Sequence, residues 1–122
     1  MELEDLSGRI IGAAISVHRK LGPGFLESIY ERSLEIELRK NGLKYSAQKL
    51  VPVFYEEVQV GEHRLDILVE DSIIVELKAI KALEDVHFAQ VRSYLKACKL
   101  KHGLLLNFST MPLTVKRVLN DF

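Results

Sequence analysis

Arg64-Leu65-Asp66-Ile67-Leu68-Val69-Glu70-Asp71-Ser72-Ile73-Ile74-Val75-Glu76-Leu77-Lys78 is the segment whose reading decides the fold. Ile67, Leu68, Val69, Ile73, Ile74, Val75 and Leu77 are apolar without strict alternation, the pattern of central strands covered on both faces. Two strands, Arg64 to Val69 and Ser72 to Ala79, are therefore expected around a short turn at Glu70-Asp71. Asp66, Glu76 and Lys78 sit among these apolar residues. Ionised groups in such a setting cost several kcal/mol each unless they are paired or bound to a metal.

Glu76 and Lys78 are two residues apart and so share one sheet face. The direction of Asp66 depends on the connection. A two-residue turn pairs it with Val75 and sends the carboxylates to opposite faces, whereas a three-residue connection, or one bulge, sets it opposite Glu76. The three-residue or bulged form is the expectation. Converging carboxylates suit a hard cation such as Mg²⁺, which takes oxygen ligands and keeps several waters. Lys78 beside them would orient or activate water, or stabilise charge developing on a phosphate. A plain ion pair of Asp66 or Glu76 with Lys78 or Arg64 near a strand edge accounts for the same spacing.

Outward from this segment the pattern is helical on one side and mixed on the other. Leu6, Ile10, Ala14, Val17 and Leu21 recur in steps of three and four, so about Asp5 to Leu21 reads as an amphipathic helix. Asp5 or Ser7 is its expected N-cap, and Gly22-Pro23-Gly24 stops it. A second helix runs from about Leu26 to Lys40, with Leu26, Ile29, Tyr30, Leu34 and Leu38 as its apolar stripe and Glu31, Arg32, Glu35 and Arg39 as its solvated side. From about Lys49 the β-branched and aromatic residues Val51, Val53, Tyr55 and Val58 to Val60 indicate strand, with a turn at Gly61-Glu62. Leu83 to Lys99 returns to helical spacing, with Val86, Phe88, Val91 and Leu95 as buried candidates. Gly103 to Phe108 is a short apolar run expected to be a strand buried on both faces. Leu113, Val115, Val118 and Leu119 fit either a strand or a short helix. The order predicts a mixed α/β sheet of four central strands with helices packed against it, antiparallel where turns are short and parallel across the helical crossover.

The chain has 122 residues, enough for one core, and is read as one domain over 1–122. Its 48% hydrophobic and 28% charged residues are those of an ordinary globular protein. No apolar run approaches the ~20 residues of a membrane span, and the acidic start, Met-Glu-Leu-Glu-Asp-Leu, lacks the plan of a signal peptide. Cys98 is the single cysteine, which excludes an internal disulfide and a CxxC metal site; a reducing cytoplasm is the expected setting. Lys+Arg and Asp+Glu both total 17, so the net charge is zero. That argues against coating nucleic acid by bulk attraction, but not against an acidic metal site beside a local basic groove.

Asp66 followed by Glu76-Leu77-Lys78 across adjacent strands resembles the PD-(D/E)XK nuclease superfamily, with Leu65 standing where that signature has proline. The helix, strands, helix, strand order also resembles that superfamily's restriction-endonuclease-like core. Leu21-Gly22-Pro23-Gly24-Phe25-Leu26-Glu27-Ser28-Ile29-Tyr30 resembles the hallmark of the GxxExxY protein family, with Gly24, Glu27 and Tyr30 in the named positions. Val75 to Ala79 and Gly103 to Phe108 resemble further segments of that family, which is grouped with the same superfamily. Gln90 and Tyr94, four apart on one helical face, resemble the Gln-x-x-x-Tyr motif that follows ExK in RecB-like nucleases; His87 lies one turn earlier on that face.

These resemblances imply a metal-dependent nuclease acting on DNA, with RNA as an alternative substrate. Asp66 and Glu76 would ligate Mg²⁺ or Mn²⁺, and the resemblance adds the backbone carbonyl of Leu77. Lys78 would position the water, and Glu27, Gln90 and Tyr94 would support metal or substrate. A homodimer would extend the binding surface. The rival readings are a catalytically inactive module of the same fold, binding nucleic acid or a protein partner, and a hydrolase of a smaller phosphoester. Elsewhere, His18 is expected to be a packing residue, His63 and His102 exposed, and Cys98 a small apolar filler. Lys96, Lys99, Lys101 and His102 form a basic cluster, and Lys116-Arg117 a smaller one, suited to a solvated helix end or to phosphate.

Overall fold

The computed structural model describes residues 2–120. Its elements are α1 (Leu3–Leu21), α2 (Glu27–Lys40), β1 (Tyr45–Tyr55), β2 (Val58–Val69), β3 (Ile73–Lys78), α3 (Asp85–Cys98), β4 (His102–Asn107) and β5 (Thr114–Leu119). The connection at the centre contains three residues. Ile67 pairs with Val75, Leu68 with Ile74 and Val69 with Ile73, which leaves Glu70, Asp71 and Ser72 as the turn. This is the register that sets Asp66 opposite Glu76.

The sheet is mixed, in the order β1-β2-β3-β4-β5. Only β3 and β4 are parallel, and α3 supplies the crossover between them; the other pairs are antiparallel. The tail is a fifth strand, so the four expected strands gain an edge partner. Its pairing follows from β4, where Gly103 to Asn107 are all buried and both rows of backbone groups need partners.

Two cores flank the sheet. On one face α1 and α2 bury Leu6, Ile10, Val17, Tyr30, Leu34 and Leu38 against Ile67, Val75, Leu77 and Phe108. On the other, α3 buries Val91, Tyr94 and Leu95 against Leu65, Leu68, Ile74 and Leu105. Fully burying a side chain of this size contributes roughly 1.5–3 kcal/mol, so both helical layers are held chiefly by the apolar strands that separate them.

Several expected boundaries move, each for a local reason. The hairpin turn lies at Glu56-Glu57 instead of Gly61-Glu62, and both turn residues take positive φ, +49° and +69°. That geometry suits a tight hairpin, and β2 continues through Gly61, which pairs with Val53. α1 starts at Leu3, so neither Asp5 nor Ser7 caps it; the buried Ser7 hydroxyl donates to the Glu4 carbonyl and accepts from Arg117. In α2, Leu26 and Ile29 are exposed, and the buried stripe is Tyr30, Leu34 and Leu38. In α3, Val86 is exposed and Phe88 only half-buried, while Tyr94 joins Val91 and Leu95 inside. His18 is a packing residue as expected, buried with Nε2 2.8 Å from the Thr110 carbonyl oxygen. His102 is half-buried. Among the described residues, no helix is long and apolar enough to cross a membrane.

The loop before α2 is held by one aromatic. Tyr30 is fully buried and stacks on Phe108, with ring centroids 4.5 Å apart. Its hydroxyl donates to the Gly22 carbonyl at 2.6 Å and accepts from the Phe25 amide at 3.1 Å. Gly22 and Gly24 take φ of +70° and +113°, where a side chain is strained, so the two glycines make the turn and Tyr30 closes it. Tyr30→Phe keeps the stack and removes both hydrogen bonds. The expected outcome is a loss of about 1–3 kcal/mol in urea denaturation, with an unchanged denaturant slope.

Candidate active site

Regular pairing of β2 with β3 ends at Ile67 and Val75. Beyond that point the side chains continue the connection. Glu76 Oε2 accepts from the Asp66 amide at 2.7 Å, and Asp66 Oδ2 accepts from the Leu77 amide at 3.0 Å. Each carboxylate is therefore held by the backbone of the opposite strand, at the point where the regular ladder stops. Leu77 sends its side chain into the core under α1 and α2, which leaves only its backbone to the site.

β2 is also irregular toward β1. Ala47 pairs with Ile67 and Lys49 with Leu65, but the intervening Gln48 and Asp66 are not paired, and Gln48 takes φ of +55°. Leu65 and Ile67, two residues apart, pack into opposite cores. The missing alternation in the sequence is thus in part a local break in β2, centred on Asp66.

Burial dominates the electrostatics. It pushes the Glu76 carboxyl up to about 9; repulsion from Asp66 adds to the rise, and the Asp66 amide and Lys78 oppose it. Burial raises Asp66 as well, against the Leu77 amide, Lys78 and a hydrogen bond from Gln48. From α2, Glu27 is raised by burial and held back by Lys78, and it feels Asp66, the Ala79 amide and His87. Glu31 is raised by burial, and Asp66, Glu35 and Glu27 add to it. Its two oxygens accept from Gln48 Nε2 at 2.9 and 3.0 Å. From α3, Gln90 Oε1 accepts from Lys78 Nζ at 3.2 Å. Burial raises Tyr94, and Glu76 and Asp66 add to that shift.

The structure therefore gathers Asp66, Glu76, Lys78, Gln90 and Tyr94 at one end of the sheet, with Glu27 within electrostatic reach. His87 lies close by but serves the start of α3, where its Nδ1 accepts from the Glu84 amide at 2.9 Å. His63 is not simply exposed: its ring centroid lies 4.5 Å from that of Tyr94. Glu31 and Gln48 are the site residues that sequence reasoning missed. The four-residue spacing of Glu27 and Glu31 on one helical face was the available signal for the first. Asn107 frames the edge of the site by clasping both backbone groups of Ile80, at 3.2 and 2.9 Å.

Among the described residues no three His, Cys, Asp or Glu side chains are grouped closely enough to hold a metal ion by themselves. The donor chemistry fits a hard divalent cation nonetheless. Asp66 and Glu76 offer oxygen only, each carboxylate keeps acceptor capacity beyond its amide contact, and such a cation retains waters for its other positions.

A family model described as the PD-(D/E)XK nuclease superfamily matches residues 4–118. No curated protein matches the chain. A solved structure, titled the crystal structure of SSO0001, is similar with a TM-score of 0.62 over 78% of this chain, at 20% sequence identity. That likeness shows the fold. This chain covers 50% of that protein's length.

The raised carboxyl of Glu76 has a consequence for stability without metal. The folded chain keeps this proton up to about pH 9, whereas the unfolded chain releases it near 4.5. Folded protein binds more protons between those values, so stability falls as pH rises through that window and levels off above it. The slope from one such group is at most about 1.4 kcal/mol per pH unit. Glu76→Gln is expected to flatten it. Urea midpoints from pH 5 to 9 in chelator check this: wild type should decline with pH, and equal declines in both proteins would show that Glu76 is not the source.

Proposed function

Because the chain belongs to the PD-(D/E)XK nuclease superfamily, we propose that it is a metal-dependent nuclease hydrolysing phosphodiester bonds in DNA, with RNA as the other substrate to be tested. The observation that carries this reading is the reciprocal grip of Asp66 and Glu76, which sets a half-buried and a buried carboxyl side by side where the β2–β3 ladder ends. Asp66, Glu76 and the backbone carbonyl of Leu77 would hold Mg²⁺ or Mn²⁺. Such a cation, when bound, lowers the pKa of a water and draws charge from the phosphoryl oxygens.

The chain's own residues supply the rest. Lys78, steadied by Gln90, presents a fixed positive charge to the water and to the charge that develops on the phosphate. Tyr94, buried on the α3 side, lies within the electrostatic influence of Glu76 and Asp66 and would limit the water that reaches them. Glu27 sits near Lys78 and the Ala79 amide, where it would complete the cation's shell through a water. The Gly24, Glu27 and Tyr30 pattern supports assignment to the GxxExxY proteins within the superfamily. The reading carries with it a single nuclease-like domain over 1–122 and a cytoplasmic setting. Two copies would pair, because a chain of zero net charge gains little grip on a polyanion from bulk attraction.

One observation favours a second reading. A Glu76 carboxyl pushed up to about 9 holds its proton at neutral pH, and a protonated carboxyl is a poor metal ligand. A catalytically inactive module that binds nucleic acid or a protein partner fits that state. Cleavage assays with Mg²⁺ and Mn²⁺ on single- and double-stranded DNA and RNA separate the two. The nuclease reading expects cleavage that Lys78→Ala and Glu76→Gln each reduce by about 10²-fold or more, with folding verified by circular dichroism. Wild-type protein that cleaves none of these substrates overturns the nuclease reading in favour of the module.

A further inference from the structure

Six described non-glycine residues have positive φ, and five of them are easily explained. Glu56 and Glu57 form the β1–β2 turn, Glu70 and Asp71 lie in the β2–β3 turn, and Lys99 ends α3. Gln48 alone lies inside a strand. A left-handed conformation costs a residue of its kind roughly 1–2 kcal/mol, and Gln48 has no core packing to offset this, because it is exposed. Strain of this kind persists where the surroundings over-determine it.

Its side chain points to the reason. Nε2 lies 2.9 and 3.0 Å from the two carboxylate oxygens of Glu31 on α2. Its backbone stands opposite Asp66 at the one interruption of the β1–β2 ladder between Tyr45 and Val53. Gln48 also lowers the proton affinity of the Asp66 carboxyl, opposing the effect of burial there. We propose that Gln48 is a positioning residue that holds Asp66 and Glu31 together from the β1 side and so fixes the orientation in which Asp66 meets Glu76.

The residue type suits the task. A side-chain amide carries two N–H donors and no charge, so it can orient two carboxylates without cancelling the negative charge that attracts a cation. Lysine or arginine in its place would neutralise the pair, and a carboxylate would repel it. Asparagine tolerates left-handed backbone better but is one methylene shorter. The catalytic consequence rests on the nuclease reading above. The positioning itself is a property of the metal-free chain and can be measured there.

Gln48→Gly separates side chain from backbone, because glycine accepts φ of +55° without strain. A residue that mattered only for the bulge would leave this variant with an undisturbed site. Positioning by the amide makes a different pattern. The thermal midpoint should equal or exceed that of wild type. In metal-free protein, hydrogen exchange of the Leu77 amide, which donates to Asp66, should quicken about tenfold, while exchange of the Ile73 to Val75 amides stays unchanged. Mn²⁺ affinity should fall by a similar factor, and Gln48→Glu should lower it further. If Gln48→Gly matches wild type in Leu77 exchange and in Mn²⁺ affinity, the positioning role is overturned and the nuclease reading stands. If Leu77 exchange quickens in a protein that cleaves nothing, the positioning role stands and the nuclease reading falls.

Discussion

The exchange of hydrogen bonds between two carboxylates and two backbone amides is the constraint on which the site depends. A β-ladder normally joins amide to carbonyl. Where β2 and β3 part, Asp66 and Glu76 take over the carbonyls' part, each accepting from the strand opposite. This satisfies amides that would otherwise lack a partner, and it fixes two carboxyl groups close enough to raise one another's proton affinity. Neither carboxylate can turn away without uncovering an amide. The grip requires a three-residue connection, since a shift of one residue would move Asp66 to the other face.

Much of this was legible in the sequence, for a physical reason. Polar residues inside an apolar strand pair are costly, so Asp66, Glu76 and Lys78 stand out from their neighbours whatever the fold's details. The parallel crossover and the doubly buried β4 were legible for a related reason: short apolar runs separated by a helical period admit few arrangements. The β1–β2 turn was not legible. Gly61 is the stronger turn signal by composition, yet a tight hairpin formed at Glu56-Glu57 because the long β1–β2 pairing fixes the register and the turn residues follow it. Glu31 and Gln48 were hidden differently. Glu31 reads as part of the solvated side of its helix and Gln48 lies just before the strand expected from about Lys49, and only the packing of α2 beside the break in β2 brings them together.

The Gly22 to Tyr30 motif divides its labour between support and site. Its glycines adopt the left-handed turn, and Tyr30, fully buried on Phe108, locks that turn with its hydroxyl. The start of α2 is thereby fixed, and Glu27, its first residue, is delivered toward Lys78 and Asp66. A sequence signature of this kind mixes residues of two sorts. The aromatic acts through packing and hydrogen bonding, whereas the glutamate lies in the electrostatic field of Lys78 and Asp66.

That field leads one step further. Glu27, Glu31, Asp66 and Glu76 all raise one another's proton affinity or are raised by burial in one region, and Lys78 is the recurrent cation among the influences opposing them. A phosphate diester approaching such a cluster meets repulsion, and the chain's balanced charge provides no bulk attraction to offset it. On the nuclease reading, two changes thus precede any chemistry. Glu76 would have to give up the proton that burial leaves on it to serve as a ligand, and the charge supplied there would offset the repulsion that these carboxylates offer a phosphate. Substrate affinity and metal occupancy are then linked through the same carboxylates, because the cation that binds Asp66 and Glu76 also removes the charge that would hold the phosphate away.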